Sequence, residues 1–255
     1  MLIFYHMLSD GDFSFILTLS GVVRFSGFAM LVFHLFKART AAGVSAKSLA
    51  LFATAFLCRA LTLFSFQGYL PLDRSGDFVP HIELLSFLAA CVALFVTLHL
   101  HRATYAREED SFGKNAIPGV PHEAGPLLLL VPALLLALVL HPSLNNDFAS
   151  DTAWTFALFL EAVSPIPQLV MLTTSKKPVE RFMSHYIFCL SLARIFSLLF
   201  WISSFHELNN SKTFTGRWVG PLVLLNEVVA VFVLGDYTYY YLRALRSNEA
   251  LTLGV

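Results

Sequence analysis

Seven separate apolar runs, at about residues 14–35, 48–70, 81–100, 125–141, 152–174, 183–204 and 218–242, dictate what this chain can become. A helix needs roughly 20 such residues to cross a hydrocarbon core about 30 Å thick, and charged or Pro/Gly-bearing segments bound each run where a helix would stop. With 56% hydrophobic and 13% charged residues, the chain lies far from the roughly 25% charged share of soluble domains. It reads as an all-α membrane protein of seven transmembrane helices, a single polytopic domain over residues 1–255. The run at 125–141 is the shortest and most uniformly apolar, as expected of a helix that faces lipid and has no polar task.

The basic residues between the runs give a direction. Lys37, Arg39, Lys47, Arg102, Arg107, Lys114, Lys176, Lys177, Arg181, Arg243 and Arg246 all fall in links or ends on one side. The other side has only Arg74, Lys212 and Arg217, beside Asp10, Asp12, Asp73, Asp77, Glu83, Asp147, Asp151 and Glu207. Positive charge stays in the cytosol, so the N-terminus is expected in the lumen or exterior and the C-terminus in the cytosol. The residues before Phe13 include two acids and no basic region, so the first run is expected to be a retained anchor. Residues 108–125 form the one long connector, polar and rich in Pro and Gly, read here as a mobile loop. A sequon, Asn209-Asn210-Ser211, falls in the luminal link before the last run.

Several chemistries find no footing. Cys58, Cys91 and Cys189 all lie inside apolar runs, which gives no disulfide framework. A net charge of zero gives no reason to expect nucleic acid. The nine histidines are scattered, and no metal-ligand spacing or nucleophile–base pair stands out. Neither an enzyme, a metal nor a cofactor is expected.

The remaining basic residues, Arg24, Arg59 and Arg194, sit well inside the runs. Each costs roughly 2.5–3.5 kcal/mol at the middle of a span on insertion scales, so each should face a polar interior. Glu161 and Glu227 are acids within spans, and Asp236 lies near the cytosolic end of the last one. Arg24 is expected to pair with Glu161. More arginine than carboxylate leaves room for an anionic ligand, although arginines that only staple helices or snorkel to an interface have the same composition.

The positions repeat. HLFKARTAAGVSAKSLALFATAFLCRALTLF, from the first run into the second, parallels LVMLTTSKKPVERFMSHYIFCLSLARIFSLLF, from the fifth into the sixth. Both contain an apolar helix end, a basic link and a span with one central arginine. Arg24 and Glu161 also occupy corresponding places. The expected architecture is two inverted three-helix repeats joined by a linker helix, of PQ-loop/SWEET type, around a mid-membrane cavity.

Five segments then point to a family: 37–64, RATYAREEDSF (102–112), AWTFALFLEAVSPIPQLVM (153–171), SHYIFCLSLARIFSLLFW (184–201) and GDYTYYYLRAL (235–245). In this order the chain resembles the KDEL receptors, which retain proteins of the endoplasmic reticulum (ER) lumen. The resemblance implies a multi-pass protein of ER and Golgi membranes that binds the C-terminal tetrapeptide of luminal proteins and returns them from Golgi to ER. Its partners would be that tetrapeptide, vesicle coat proteins at the cytosolic tail, and membrane lipid. Arg59 matches the family's arginine for the terminal carboxylate, Arg194 its sixth-helix arginine, and Trp154 and Glu161 its aromatic and acidic cavity residues. Asp151 matches a luminal acid able to receive a ligand lysine.

The chain also departs from the family. Leu17 and Ser204 stand where it has mouth arginines, Ala193 and Ser197 where it has tyrosines, and Thr62 where it has an acid. Arg24 stands at its luminal-side histidine; an arginine stays charged where a histidine titrates. Arg243 and Arg246 either contact the coat or only anchor the last helix. The alternative reading is a small-solute transporter of the PQ-loop type, which the same fold would permit.

Overall fold

A computed structural model describes residues 14–70, 75–114, 121–175, 177–205, 218–247, 251 and 253. The sequon at Asn209, the loop residues Arg74, Lys176, Lys212 and Arg217, and acids Asp10, Asp12, Asp73 and Glu207 lie outside these residues.

Among the described residues the regular structure is helical. The main helices are α1 (Phe15–Ala38), α2 (Ala46–Ser65), α3 (Val79–Phe95, continued by a π turn over Val96–Leu100), α4 (Leu127–Leu140), α5 (Phe148–Val163), α6 (Ile166–Ser175), α7 (Arg181–Ser203) and α8 (Val219–Ser247). Six spans are long and apolar enough to cross a membrane, with α5 and α6 together forming one of them. α4 has 14 residues, about 21 Å at 1.5 Å per residue, and falls short of that length.

Local chemistry sets the boundaries. α1 ends at Arg39 in the left-handed conformation (φ 52°), and Gly43 (φ 77°) supplies the turn into α2. Ser45 caps α2 by accepting from the Ser48 N–H, and Asp147 caps α5 by accepting from the Ser150 N–H. The Ser150 hydrogen bonds hold the Asp147 carboxyl below its ordinary pKa. α5 and α6 break at Ser164-Pro165, because proline has no N–H to continue the ladder. The Ser48 hydroxyl donates to the Ser164 carbonyl at 2.6 Å. Gln168, just past the break, accepts from Ser45 N (2.8 Å) and donates to Gly43 O (2.7 Å), locking the α1–α2 turn onto α6.

The helices close a ring: α1 packs on α3, α3 on α2, α2 on α5, α5 on α8, α8 on α7 and α7 back on α1. α4 packs outside this ring, against α5. It exposes Leu135, Leu136, Val139 and Leu140, and α8 exposes Leu225 and Phe232. Apolar surface this continuous belongs against lipid.

Two ends can be told apart. At one, Thr18 of α1 reaches Ser75 O before α3 (2.8 Å), and Tyr69 after α2 reaches Asp151 of α5 (2.5 Å). At the other, Ala41 N meets Thr104 (2.9 Å), Lys177 meets Glu109 (2.5 Å), and Val179 N meets Leu251 O (2.8 Å). α1 and α5 therefore both run from the first end to the second. α4 starts near the second end, where Gly125 abuts Phe112, and finishes near the first, where Leu144 N reaches Asp151.

The first residues of the long connector, 108–114, depart from the mobile loop expected of it. Its early part is pinned by Asp110, which is fully buried and accepts from Ser45 Oγ (2.8 Å), Lys47 N (3.3 Å) and the Tyr105 hydroxyl (2.7 Å). Lys47 Nζ donates to Phe112 O at 2.7 Å. Sequence alone shows polarity and turns, not a carboxylate folded back into a helix N-terminus.

Candidate functional site

Each ring helix contributes one charged side chain to a cluster inside the bundle: Arg24 from α1, Arg59 from α2, Glu83 from α3, Glu161 from α5, Arg194 from α7 and Glu227 from α8. Glu161 is the hub. Its Oε1 lies 2.8 Å from Arg24 Nη1 and 2.7 Å from Arg194 Nη2, and its Oε2 lies 2.7 Å from Arg59 Nη2. Glu83 Oε1 takes the other arm of Arg24 at 2.5 Å and stands 3.9 Å from Arg59 Nη1. Glu227 Oε1 stands 3.5 Å from Arg194 Nη1.

The cluster is buried. The three glutamate side chains are 1–3% exposed, Arg24 and Arg194 are 8% exposed, and Arg59 is the most open at 15%. Helical packing leaves each guanidinium little choice of rotamer; Arg24 also lies over the Phe56 ring at 4.9 Å. Phe28, Phe52 and Phe56 form an edge-to-face aromatic floor on the basic side of the cluster. Three guanidiniums and three carboxylates balance in formal charge. Yet Arg24 Nε, Arg59 Nε, Glu83 Oε2 and Glu227 Oε2 are buried without hydrogen-bond partners among the described residues.

A cleft reaches this cluster from the first of the two ends, the one with Thr18, Ser75, Tyr69 and Asp151, where its mouth lies. It is walled by Leu17, Leu70, Ile82, Trp154, Leu158 and Trp201, with Arg24, Arg59, Glu83, Glu161 and Arg194 at its depth. Room for a water-sized body amounts to about 50 Å³, within a total empty space of about 800 Å³ that includes open solvent at the mouth. The depth suits one small polar group; a longer ligand must lie toward the apolar collar. Leu17, Ala193 and Ser197, three of the positions that depart from the family pattern, line this cleft.

The sequence-expected residues do not all meet there. Arg24, Arg59, Glu161, Arg194 and Trp154 share the cleft. Trp154 is stacked on Tyr69, centroids 5.1 Å apart and planes 7° apart. Asp151 is 1% exposed, and its carboxylate is engaged by Tyr69, Leu144 N and Asn145 N. It ties the end of α2 to the start of α5. Burial, then the hydrogen bond to Asp151, push the Tyr69 hydroxyl's pKa upward. Arg243 and Arg246 lie exposed at the far end of α8. His185 pairs with the Tyr241 hydroxyl at 2.7 Å.

Glu83 is the residue the sequence reading missed, because it was counted among the acids outside the membrane. The signal is present: Pro80 suits a helix's first turn, which starts α3 ahead of the apolar run at 81–100 and carries Glu83 a full turn inside the helix. No group of His, Cys, Asp and Glu able to hold a metal exists among the described residues.

The arrangement can bind and orient a carboxylate. Arginine offers a planar fork for two parallel hydrogen bonds, and burial strengthens them. Comparison with known proteins leads to receptors. The family model for the ER lumen protein retaining receptor matches residues 40–204. An ER lumen protein-retaining receptor of Caenorhabditis elegans is 31% identical over 229 residues, 89% of this chain and 92% of its own length. The receptor of Drosophila melanogaster is 29% identical over 241 residues, 91% of this chain and 98% of its own. That of Petunia hybrida is 26% identical over 231 residues, 88% of this chain and 91% of its own. An all-helical bundle with six long apolar spans, converging buried arginines and similarity along nine-tenths of its length place the chain with these proteins: it belongs to the ER lumen protein retaining receptor family.

Proposed function

We propose that the cleft captures the C-terminal carboxylate of luminal proteins bearing KDEL-like retention signals, and that the protein returns them from Golgi to ER. The observation that carries this reading is the hold on Glu161. Three buried arginines already grip one carboxylate, and Arg59, the most exposed of them, faces the cleft. A peptide carboxylate entering from the mouth displaces Glu161 from Arg59 and takes over its fork. Arg194 and Arg24 keep the hub in place, and Trp154 lends an aromatic wall. Asp151, with its oxygens engaged, acts through the shape of the mouth. The peptide is an address, read and released.

The mouth end is the luminal side in this reading, and the basic end is cytosolic. α4, passing between the two ends, is the seventh crossing, and its 14 residues are accommodated by local thinning of the bilayer and by snorkelling flanks. Residues 1–255 act as one polytopic domain. The spans divide into two triplets, one of α1, α2 and α3 and the other of the α5–α6 span, α7 and α8. The third span lies between the first two in the first triplet, and α8 lies between α5 and α7 in the second. Arg59 and Glu83 correspond to Arg194 and Glu227. The triplets run in the same sense, because a single crossing by α4 separates them. The repeat is therefore parallel, related by an axis along the membrane normal, and not inverted as the sequence suggested. Arg243 and Arg246 offer the cytosolic charge for coat proteins, and lipid surrounds the exposed apolar belt. Membership of a receptor family favours retrieval over small-solute transport.

The test is direct. Purified full-length protein should bind a retention-signal peptide with a free C-terminus and lose at least tenfold in affinity for the amidated peptide. Equal affinity for the two forms would remove carboxylate capture as the function.

A further inference from the structure

A second opening lies at the basic end of the bundle and shares no lining residue with the central cleft. It sits between the start of α2, the end of α3 and the start of α4, and offers about 530 Å³ to water-sized bodies, against about 50 Å³ in the cleft. Small-molecule sites span roughly 300–1,000 Å³. Ala50 of α2, Leu94 and Leu98 of α3 and Pro126 at the start of α4 give the groove an apolar wall, and Lys47, His99, Arg102 and Arg107 line it beside them. The last turn of α3 is a π turn, closed by a hydrogen bond from His101 N to Val96 O at 2.8 Å. Its wider winding brings residues five apart toward one side, so that Leu94 and His99 share this groove.

Two properties select the occupant. The first is charge. Lys47, Arg102 and Arg107 stand against one lining acid, Glu123, which is paired with Arg107. Asp110 is buried off the groove, and its oxygens are taken by Ser45 Oγ, Lys47 N and the Tyr105 hydroxyl. Arg102 is exposed and makes no salt bridge among the described residues. The second property is the wall: Leu98 is exposed, as are Phe95 of α3 and Leu127 of α4, so the groove runs into the surface that belongs against lipid. A free anion would use the cations and leave the wall wet, and an acyl chain alone would leave the cations unmatched. A phospholipid with an anionic headgroup uses both. Basic pockets between spans at the cytosolic side suit such headgroups, and the guanidinium fork suits phosphate.

We propose that this groove binds one anionic phospholipid from the leaflet at the basic end, with Arg102 and Lys47 at its phosphate and one acyl chain along Leu94 and Leu98. Lys47 Nζ also donates to Phe112 O at 2.7 Å, so a single ammonium serves the headgroup and the connector that leads to α4. The site is separate from peptide capture at Arg59 and stands or falls without it.

Full-length protein in detergent micelles, titrated with dioleoyl phosphatidic acid, dioleoyl phosphatidylcholine or inorganic phosphate and read by native mass spectrometry, tests this. The wild type should retain one phosphatidic acid at least tenfold more tightly than phosphatidylcholine, and inorganic phosphate in about hundredfold excess should not displace it. Arg102→Gln, at an exposed position outside the packed core, should weaken phosphatidic acid at least fivefold. Arg181→Gln, which removes an equally exposed cation from the same end but outside the groove, should leave it within about twofold of wild type. Equal affinity for the two lipids overturns the proposal, as does unchanged affinity in a folded Arg102→Gln protein. An equal loss in the two variants overturns it in favour of diffuse attraction to the basic end, and displacement by inorganic phosphate overturns it in favour of a free-anion site.

Discussion

Glu161 holds three guanidiniums, so its removal is a different kind of event from breaking one ion pair. Stripping one partner from a buried pair costs about 3–5 kcal/mol, because the remaining charge has lost both water and its counter-ion. In Glu161→Gln, Arg24 keeps Glu83 and Arg194 keeps Glu227, but Arg59 is left with a carboxylate 3.9 Å away. The variant should therefore lose about 3–5 kcal/mol of stability, read as a large fall in thermal midpoint in detergent. Glu161→Asp should lose less, and adding Arg59→Met to Glu161→Gln should restore part of the loss by removing the stranded charge. A Glu161→Gln protein as stable as wild type would mean that the cluster is wetter than its burial implies. The sequence made the three arginines visible, since an arginine inside an apolar run has few explanations. It showed one pairing, Arg24 with Glu161, which the structure has at 2.8 Å, but not the others. The pairing depends on the rotation and depth of each helix, which is why Glu83, only four residues after the start of α3, escaped notice.

The helices themselves were the most legible part, because a span must be long and apolar whatever its neighbours are. Six of the seven expected runs match helices of spanning length to within a few residues, and the fourth is helical but short. Packing between them was not legible, and α1 against α7 shows why. A Cβ added at Gly27 would lie 2.9 Å from Cys189 Cβ and 3.3 Å from Tyr186 O, so that glycine sets how closely two helices 160 residues apart in sequence approach. Nothing in the local sequence marks it. Small residues at such crossings let backbones come together where lipid offers no hydrophobic drive. Gly27→Ala should cost about 1–3 kcal/mol through overpacking and lower the thermal midpoint. Gly235, within α8, has no atom within 4 Å of its added Cβ; Gly235→Ala should be neutral or stabilising by up to about 1 kcal/mol, since alanine loses less backbone entropy in a helix. Equal effects at the two sites would remove the close α1–α7 approach as the cause.

At the scale of the whole molecule, charge and fold agree on a single asymmetry. Lys37, Arg39, Arg102, Arg107, Lys114, Lys177, Arg181, Arg243 and Arg246 are all exposed, and cross-links between their segments gather them at one end. Lys177 meets Glu109, Arg107 meets Glu123, and the α6–α7 link meets Leu251. The opposite end holds the mouth of the cleft, with its buried Tyr69–Asp151 pair. A bilayer reads that difference through the positive-inside rule, so the basic end should face the cytosol and the cleft should open to the lumen. In sealed microsomes, external protease should remove an epitope placed after Val255 and spare one placed before Met1 until the membrane is permeabilised. The reverse pattern would turn the mouth toward the cytosol, where no luminal protein could reach Arg59. Cleavage of both epitopes in intact vesicles would mean an even number of crossings, and would place α4 on the membrane surface instead of through it.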